Sequence, residues 1–330
     1  MTPDWQALPS STSCLDRLFN SAEECAALWR QLGCDYHVVQ ISSGPLTGRL
    51  RMDRQPGMVL VSMQANQSLL IEGSRHPNWI PFTIEHSTNF AEHRHFGEPV
   101  MPHTMGGFNT QLKESFLRTS PGGNHIGVVL IDRSRVEALA RLRSGCRILD
   151  RMSIHNSAML SSTSHDRLKR LMALPDWQGN DAQQPFQADF LEAQLIEDLD
   201  SESHSTLRPS VKTHRSDLVS DLVRLSFQKS TEPLSLLTLC QELFTTKTTL
   251  TVSCREMFGY GPSALLRRVR LQQVHHVLRH PELRQQLGCS GVQDVAGHFG
   301  FVSRNHFASA YREFCSEAPS DTLVAAVSRS

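Results

Sequence analysis

The chain has 330 residues, 39% of them hydrophobic, and its 33 Lys+Arg balance 33 Asp+Glu, which is enough apolar material for two domains with cores of their own. Eight cysteines lie scattered at Cys14, Cys25, Cys34, Cys146, Cys240, Cys254, Cys289 and Cys315 with no Cys-x-x-Cys pair, which argues against a zinc site or a disulfide framework. No apolar run approaches a membrane span, and Met1-Thr2-Pro3-Asp4 lacks the basic flank and apolar core of a signal peptide, so the protein is expected in the cytoplasm.

In chain order, residues 1–150 read as a β-rich domain. Short runs at Tyr36–Ile41, Gly48–Met52, Met58–Met63, Ser68–Glu72, Trp79–Glu85 and Ile126–Ile131 favour strands. Gly44-Pro45, Gln55-Pro56-Gly57 and Pro121-Gly122-Gly123 break them, as in a β-barrel or jelly roll. Residues 151–210 read as a helical and acidic linker region. Helices are expected over Ser134–Leu142 and His155–Leu174. Between Pro175 and Ser203 there is no Lys or Arg, and Phe190, Leu191, Leu195 and Leu199 mark one more helix. The serine-rich run Ser201–Ser210 is the expected flexible joint.

Residues 211–330 carry a repeated unit. Arg255-Glu256-Met257-Phe258 leads to Pro262-Ser263, and 57 residues later Arg312-Glu313-Phe314 leads to Pro319-Ser320. In the first copy Leu236, Leu239, Cys240 and Leu243 form one helix face behind an N-cap at Ser235. Thr246 caps a second helix, in which Leu250, Cys254 and Met257 or Phe258 recur and Gly259 supplies the stop. In the second copy Val292, Val295, Ala296 and Phe299 form the first stripe and Phe307, Tyr311 and Phe314 the second. Gly300 stands at the turn and Ser303 at the cap. From Cys240 to Thr246 is six residues and from Ala296 to Ser303 seven, so the second turn is longer by one. Between the copies, Ala264–Arg279 reads as a helix closed by Pro281, about 24 Å long at about 1.5 Å per residue, which suits two heads in successive major grooves. The exposed faces present Lys247, Thr248, Thr251, Val252 and Arg255 in the first unit, and Arg304, Asn305, His306, Ala308, Ser309 and Arg312 in the second. Donors and acceptors at the start of such a helix can read base edges, and cations can hold phosphates. Residues 211–330 hold 14 Lys+Arg against 10 Asp+Glu, whereas residues 1–210 hold 19 against 23. An excess of four is modest, so placement of Arg255, Arg267, Arg268, Arg270 and Arg312 has to supply phosphate affinity.

From about Ser216 to Leu323 the chain resembles the DNA-binding domain of AraC/XylS-family transcription regulators. The matching residues are Pro262, Arg270-Leu271, Asp294-Val295-Ala296, Gly300-Phe301, Ser303, Phe307, Tyr311-Arg312 and Pro319-Ser320. The resemblance implies an α+β protein: a β-rich cupin-like (jelly-roll) domain with following helices, then an all-α domain of seven helices with two helix-turn-helix units. It places base contacts on Thr248, Thr251 and Val252 in the first unit and on Arg304, Asn305, His306, Ala308 and Ser309 in the second; Lys247 joins them by its exposed position. Phe244 stands where the family has a turn glycine. Within the family, Leu239-Cys240, Tyr36-His37-Val38-Val39-Gln40 and Gly44-Pro45-Leu46-Thr47-Gly48 look most similar to ethanolamine-operon-type regulators, a subgroup that implies sensing of a small amine together with a cobalamin. No motif defines contacts to either ligand, and neither a cofactor nor a metal is expected.

The expected function is therefore that of a bacterial, sequence-specific DNA-binding transcription regulator, an activator and homodimer, working with RNA polymerase under control of a front domain that senses a small-molecule effector. An alternative is a cupin-like metal-dependent enzyme fused to a DNA-binding module. His93-Arg94-His95, Glu98, His103 and His125 supply the ligand types for it. The spacing does not follow the pattern, however, with only two residues between His95 and Glu98. Neither a phosphate-binding glycine loop nor a nucleophile elbow is present.

Overall fold

A computed structural model describes residues 14–144, 147–173, 184–201, 205–209, 213–232 and 234–327. The front part opens with strand β1 (Cys14–Phe19) and helix α1 (Ala22–Arg30), the latter capped by the Ser21 side chain. Strands β2 (Asp35–Gln40), β3 (Gly48–Gln55), β4 (Met58–Ala65), β5 (Leu69–Ser74) and β6 (Trp79–Glu85) follow. Short strands β7 (Arg94–His95), β8 (Glu98–Pro99) and β9 (Thr104–Gly106) lead into β10 (Glu114–Arg118) and β11 (Asn124–Asp132). Then come α2 (Arg133–Ser144), α3 (Arg147–Ile154), β12 (His155–Leu160), α4 (Ser162–Met172), α5 (Gln184–Asp200) and β13 (Ser205–Pro209).

These strands form two sheets, one ordered β1-β3-β4-β11-β6-β9-β12-β13 and one ordered β2-β5-β10-β7-β8. The strand pairings are antiparallel throughout. Between the sheets, Val59, Val61 and Met63 of β4 and Val128 and Leu130 of β11 meet Tyr36 and Val38 of β2 and Leu69 and Ile71 of β5. On the other face of the large sheet, Met58, Leu60, Phe82, Val129 and Ile131 pack on α2 to α5 through Val136, Ile148, Leu168, Leu191 and Leu195. Burial on both faces explains why β4 reads as an almost unbroken apolar run without alternation.

Two expectations for the linker region fail. Residues 155–160 form a strand instead of the start of a helix. Asn156, Ala158 and Leu160 are buried and alternate with half-buried neighbours, and β12 is held between β9 and β13. A two-residue period in that setting outweighs the helical reading, which holds only from Ser162. The serine-rich joint is also partly ordered, since Ser205–Pro209 is the edge strand pairing with β12; residues 202–204 and 210 lie outside the described residues.

The C-terminal part is all helical: α6 (His214–Gln228), α7 (Leu236–Glu242), α8 (Lys247–Phe258), α9 (Pro262–Arg279), α10 (Pro281–Gln286), α11 (Val292–His298), α12 (Arg304–Cys315) and α13 (Pro319–Val327). The molecule is thus α+β, a β-rich front with helices followed by a helical domain with two helix-turn-helix units.

Candidate nucleic-acid interface

Each helix-turn-helix unit is built by local rules that the residues announce. Ser235 accepts the Thr238 N–H at 3.0 Å and Thr246 accepts the Thr249 N–H at 3.1 Å, so both helices of the first unit start on a side-chain cap. Ser303 does the same for α12 through the His306 N–H at 3.4 Å. Helix α8 ends on Gly259 at φ 81°, a left-handed residue that costs glycine little. The two turns close alike: the Thr245 N–H reaches the Cys240 carbonyl and the Phe301 N–H the Ala296 carbonyl, both at 2.9 Å. Gly300, at φ 77°, and Phe244, at φ 48°, occupy the corresponding left-handed corner.

Helix α9 fixes the units relative to each other because it belongs to both cores. Its Leu265 and Val269 pack with Leu239, Cys240, Leu250, Cys254 and Phe258. Its Leu271, Val274, Val277 and Leu278 pack with Val295, Ala296, Phe307, Tyr311 and Phe314. One continuous helix with a buried stripe running through two clusters leaves little freedom for one head to turn against the other.

Away from those cores, Lys247, Thr248, Arg304, Asn305, His306 and Ser309 are exposed, Val252 is also exposed, and Thr251 and Ala308 are half-buried. Among the described residues, Lys247, Arg255, Arg267, Arg304 and Arg312 form no ion pair, so each offers a free cation at the surface. Arg268 and Arg270 are placed differently. The Arg268 guanidinium lies 4.7 Å from the Tyr260 ring centre and 5.6 Å from that of Phe314 and donates to Ser43 Oγ at 3.3 Å. Arg270 donates to the Glu232 carbonyl, and Gly300 passes so near that a Cβ there would sit 3.5 Å from its Nη1. Both arginines are engaged by the protein itself.

The front domain is joined to this helical domain by contacts that the sequence did not disclose. Val39 of β2 and Ile41 just after it, Leu70 of β5, Phe96 in the turn between β7 and β8, and Phe116 of β10 share one apolar cluster with α6, α7 and α8. Gln272 of α9 accepts from the Gln40 N–H at 3.1 Å and donates to the Val38 carbonyl at 2.8 Å and to Glu23 at 3.0 Å. It behaves as an additional partner on the edge of β2. A polar residue next to the apolar stripe of α9 was the one signal available for it. Arg224 of α6 bridges Glu72 and Glu114, each at 2.7 Å, and Arg118 donates to the Met257 carbonyl at 2.6 Å. Glu72 is fully buried, which pushes its carboxyl up to about 7 against the opposing pull of Arg224.

A cavity of about 510 Å³ opens inside the β-rich domain, with Trp29, Tyr36, Arg75, Glu85, His93 and His95 among its lining residues. Burial, reinforced by Arg75, pulls the His95 imidazole down to about 3, so it is neutral. His93 is also buried; its Nδ1 lies 2.6 Å from Glu85 Oε2, and its Nε2 has no hydrogen-bond partner among the described residues. Of the residues considered as cupin-type ligands, His93, His95 and Glu98 line this cavity, but among the described residues they form no group of three at metal-ligand distance. His93 is held by Glu85, His95 by Asn156, His125 by Ser62 at 2.8 Å, and His103 packs at a tilt against His165.

Residues 239–324 match a family model described as a helix-turn-helix domain, and the structure builds this segment as two helix-turn-helix units on one spine. Over 73 residues the chain is 34% identical to the HTH-type transcriptional activator RhaS of Escherichia coli O157:H7, covering 22% of this chain. The match spans 24% of that relative, about a quarter of its length. Among solved structures, the AraC-like transcriptional activator CuxR is 12% identical and covers 78% of this chain and 95% of its own, with a TM-score of 0.39. ToxT from Vibrio cholerae is 12% identical and covers 95% of this chain and 98% of its own, with a TM-score of 0.33. No helix of the described residues is long and apolar enough to cross a membrane.

Proposed function

We propose that this protein is a sequence-specific DNA-binding transcription regulator of AraC/XylS type, an activator, whose helices α8 and α12 read adjacent major grooves under control of the front domain. The observation that carries this reading is the sharing of α9 between both cores, with the polar faces of α8 and α12 left open and their cations unpaired. Base reading falls to Lys247, Thr248, Thr251, Val252, Arg304, Asn305, His306, Ala308 and Ser309. Phosphate anchoring rests first on Arg255, Arg267 and Arg312. Arg268 and Arg270 contribute only if they leave their protein partners. RNA polymerase and a second copy of the chain complete the assembly.

The effector in this reading occupies the β-domain cavity. With its Nδ1–H donated to Glu85, His93 presents Nε2 as an acceptor, which suits a small molecule bearing a hydroxyl or amine donor. Kinship with ethanolamine-operon-type regulators fits such a ligand and is part of the proposal. Binding there shifts the docking of the two domains toward the DNA-competent state.

Selection of bound sequences from a random DNA library by the full-length chain tests this. A bipartite motif with halves about one helical turn (10–10.5 bp) apart is expected. Arg304→Ala should relax preference at one or two base pairs at a cost of about 1–3 kcal/mol, whereas Arg312→Ala should weaken all sequences alike. A single short motif would limit reading to one unit, and no enrichment would overturn the proposal.

A further inference from the structure

Glu24 of α1, His276 of α9 and His280, the residue that caps the end of α9, bring their ligand atoms within 4.8 Å of one another across the junction of the two domains. The chain leaves α9 in an extended conformation at His280 and begins α10 at once, and this turn keeps the two imidazoles 4.3 Å apart, centre to centre. The surrounding hydrogen bonds prepare all three groups. The Asn20 N–H binds Glu24 Oε2 at 2.7 Å and leaves Oε1 facing His280 Nε2 at 3.9 Å. His280 Nδ1 donates to the His276 carbonyl at 2.7 Å, which fixes the tautomer whose Nε2 carries the lone pair. His276 Nδ1 is steadied by Ser21 Oγ at 3.3 Å, and Ser21 is itself the N-cap of α1. Metal-binding histidines characteristically have their second ring nitrogen bonded in this way.

We infer that Glu24, His276 and His280 form a binding site for one divalent first-row transition ion of the zinc class, which staples the front domain to the helix carrying both DNA-reading units. Two imidazoles and one carboxylate with a fourth position left to water make an open tetrahedral set. Bond lengths of about 2.1 Å put tetrahedral ligand atoms roughly 3.4 Å apart, so the ion would draw the three groups together by an ångström or so, within reach of side-chain adjustment. Of the cations near them, Arg30 and Arg279, the one that reaches Glu24 is Arg279, and it does not fill the place. Its Nη1 is committed to the Asn20 carbonyl at 3.1 Å, and its Nη2 stops 3.8 Å short of Glu24 Oε1. Nearby, Gln272 binds Glu23 and the β2 backbone, so an ion here would reinforce a junction that already exists. The inference does not depend on what the DNA-reading helices recognise.

Untagged full-length protein titrated with Co²⁺ tests it directly. One equivalent giving the strong visible absorption of four-coordinate cobalt, displaced by Zn²⁺, is expected. His280→Asn and Glu24→Gln should each lower the affinity at least ten-fold, while His298→Gln, at the far end of α11 and outside the cluster, should change nothing. Circular dichroism of each variant guards against loss of fold. Absence of saturable binding, or binding indifferent to both substitutions, would overturn the site. Binding lost in His280→Asn but kept in Glu24→Gln would overturn the staple, since the ion would then sit on α9 alone.

Discussion

Phe244 shows how a single residue can be at odds with its place in the motif. It sits in the left-handed region at φ 48°, where side chains pay a steric penalty of about 1–2 kcal/mol, and its ring is 97% exposed, so packing returns nothing. Gly300 meets the same demand in the second unit without strain. Phe244→Gly should therefore stabilise the protein by up to about 1 kcal/mol, the gain in strain being partly offset by the freer unfolded chain. Urea unfolding of the two proteins measures this, and a lower midpoint for the variant would show that the ring has a partner at that corner. Arg270 makes the complementary point. Expected from the sequence to hold a phosphate, it binds the Glu232 carbonyl in the structure and flanks Gly300, tying the start of the first unit to the turn of the second.

At the scale of elements, α6 is the piece that closes the domain junction, and it does so over a buried carboxylate. Glu72 of β5 faces Arg224, with Glu114, Asp221, Ser220 and the adjacent-strand His37 around it. Burial raises its pKa from 4.5 to about 7, so the folded, docked state holds a proton that the hydrated carboxyl would release. That contribution to stability is complete below about pH 4.5 and is lost as pH rises to about 7. Thermal midpoints across this window should fall less steeply for Glu72→Gln than for the unaltered chain. Arg224→Ala should steepen the fall and carry it to higher pH, because it removes the charge that opposes the burial penalty. Parallel curves for all three proteins would mean that Glu72 is not buried by docking.

On the scale of the whole molecule, the front and helical domains are not beads on a string. Val39, Ile41, Leu70, Phe96 and Phe116 lend α6, α7 and α8 part of their core, and the Gly44 N–H binds the Phe314 carbonyl at 2.8 Å. A fragment spanning 211–330 would expose that apolar surface, at roughly 1.5–3 kcal/mol for each large side chain uncovered. It should unfold at lower temperature than the helical domain does within the full chain. Calorimetry of both is the measurement; equal midpoints would show that the shared cluster contributes little. The same continuity offers a route by which a change in the β-domain cavity can reach α8, whose core residues border the sheet carrying Phe96 and Phe116.

The helix-turn-helix units, their caps at Ser235, Thr246 and Ser303, the stops at Gly259 and Gly300 and the connecting helix were all legible, because each is decided by residues within one or two turns of one another. So were β2 to β6 and β11, whose strand-forming runs are bounded by Gly and Pro. Long-range pairing decided the rest. Residues 155–160 became a strand because β9 was there to accept it, and Ser205–Pro209 became its edge partner. No local pattern says that Gln272 will complete β2, that Arg224 will meet Glu72 some 150 residues away, or that Glu24 will face the histidine pair at the end of α9. The histidine spacing itself was in the sequence; only the fold supplied the third ligand, because the chain separation of side chains carries no information about their distance until the backbone has brought them together.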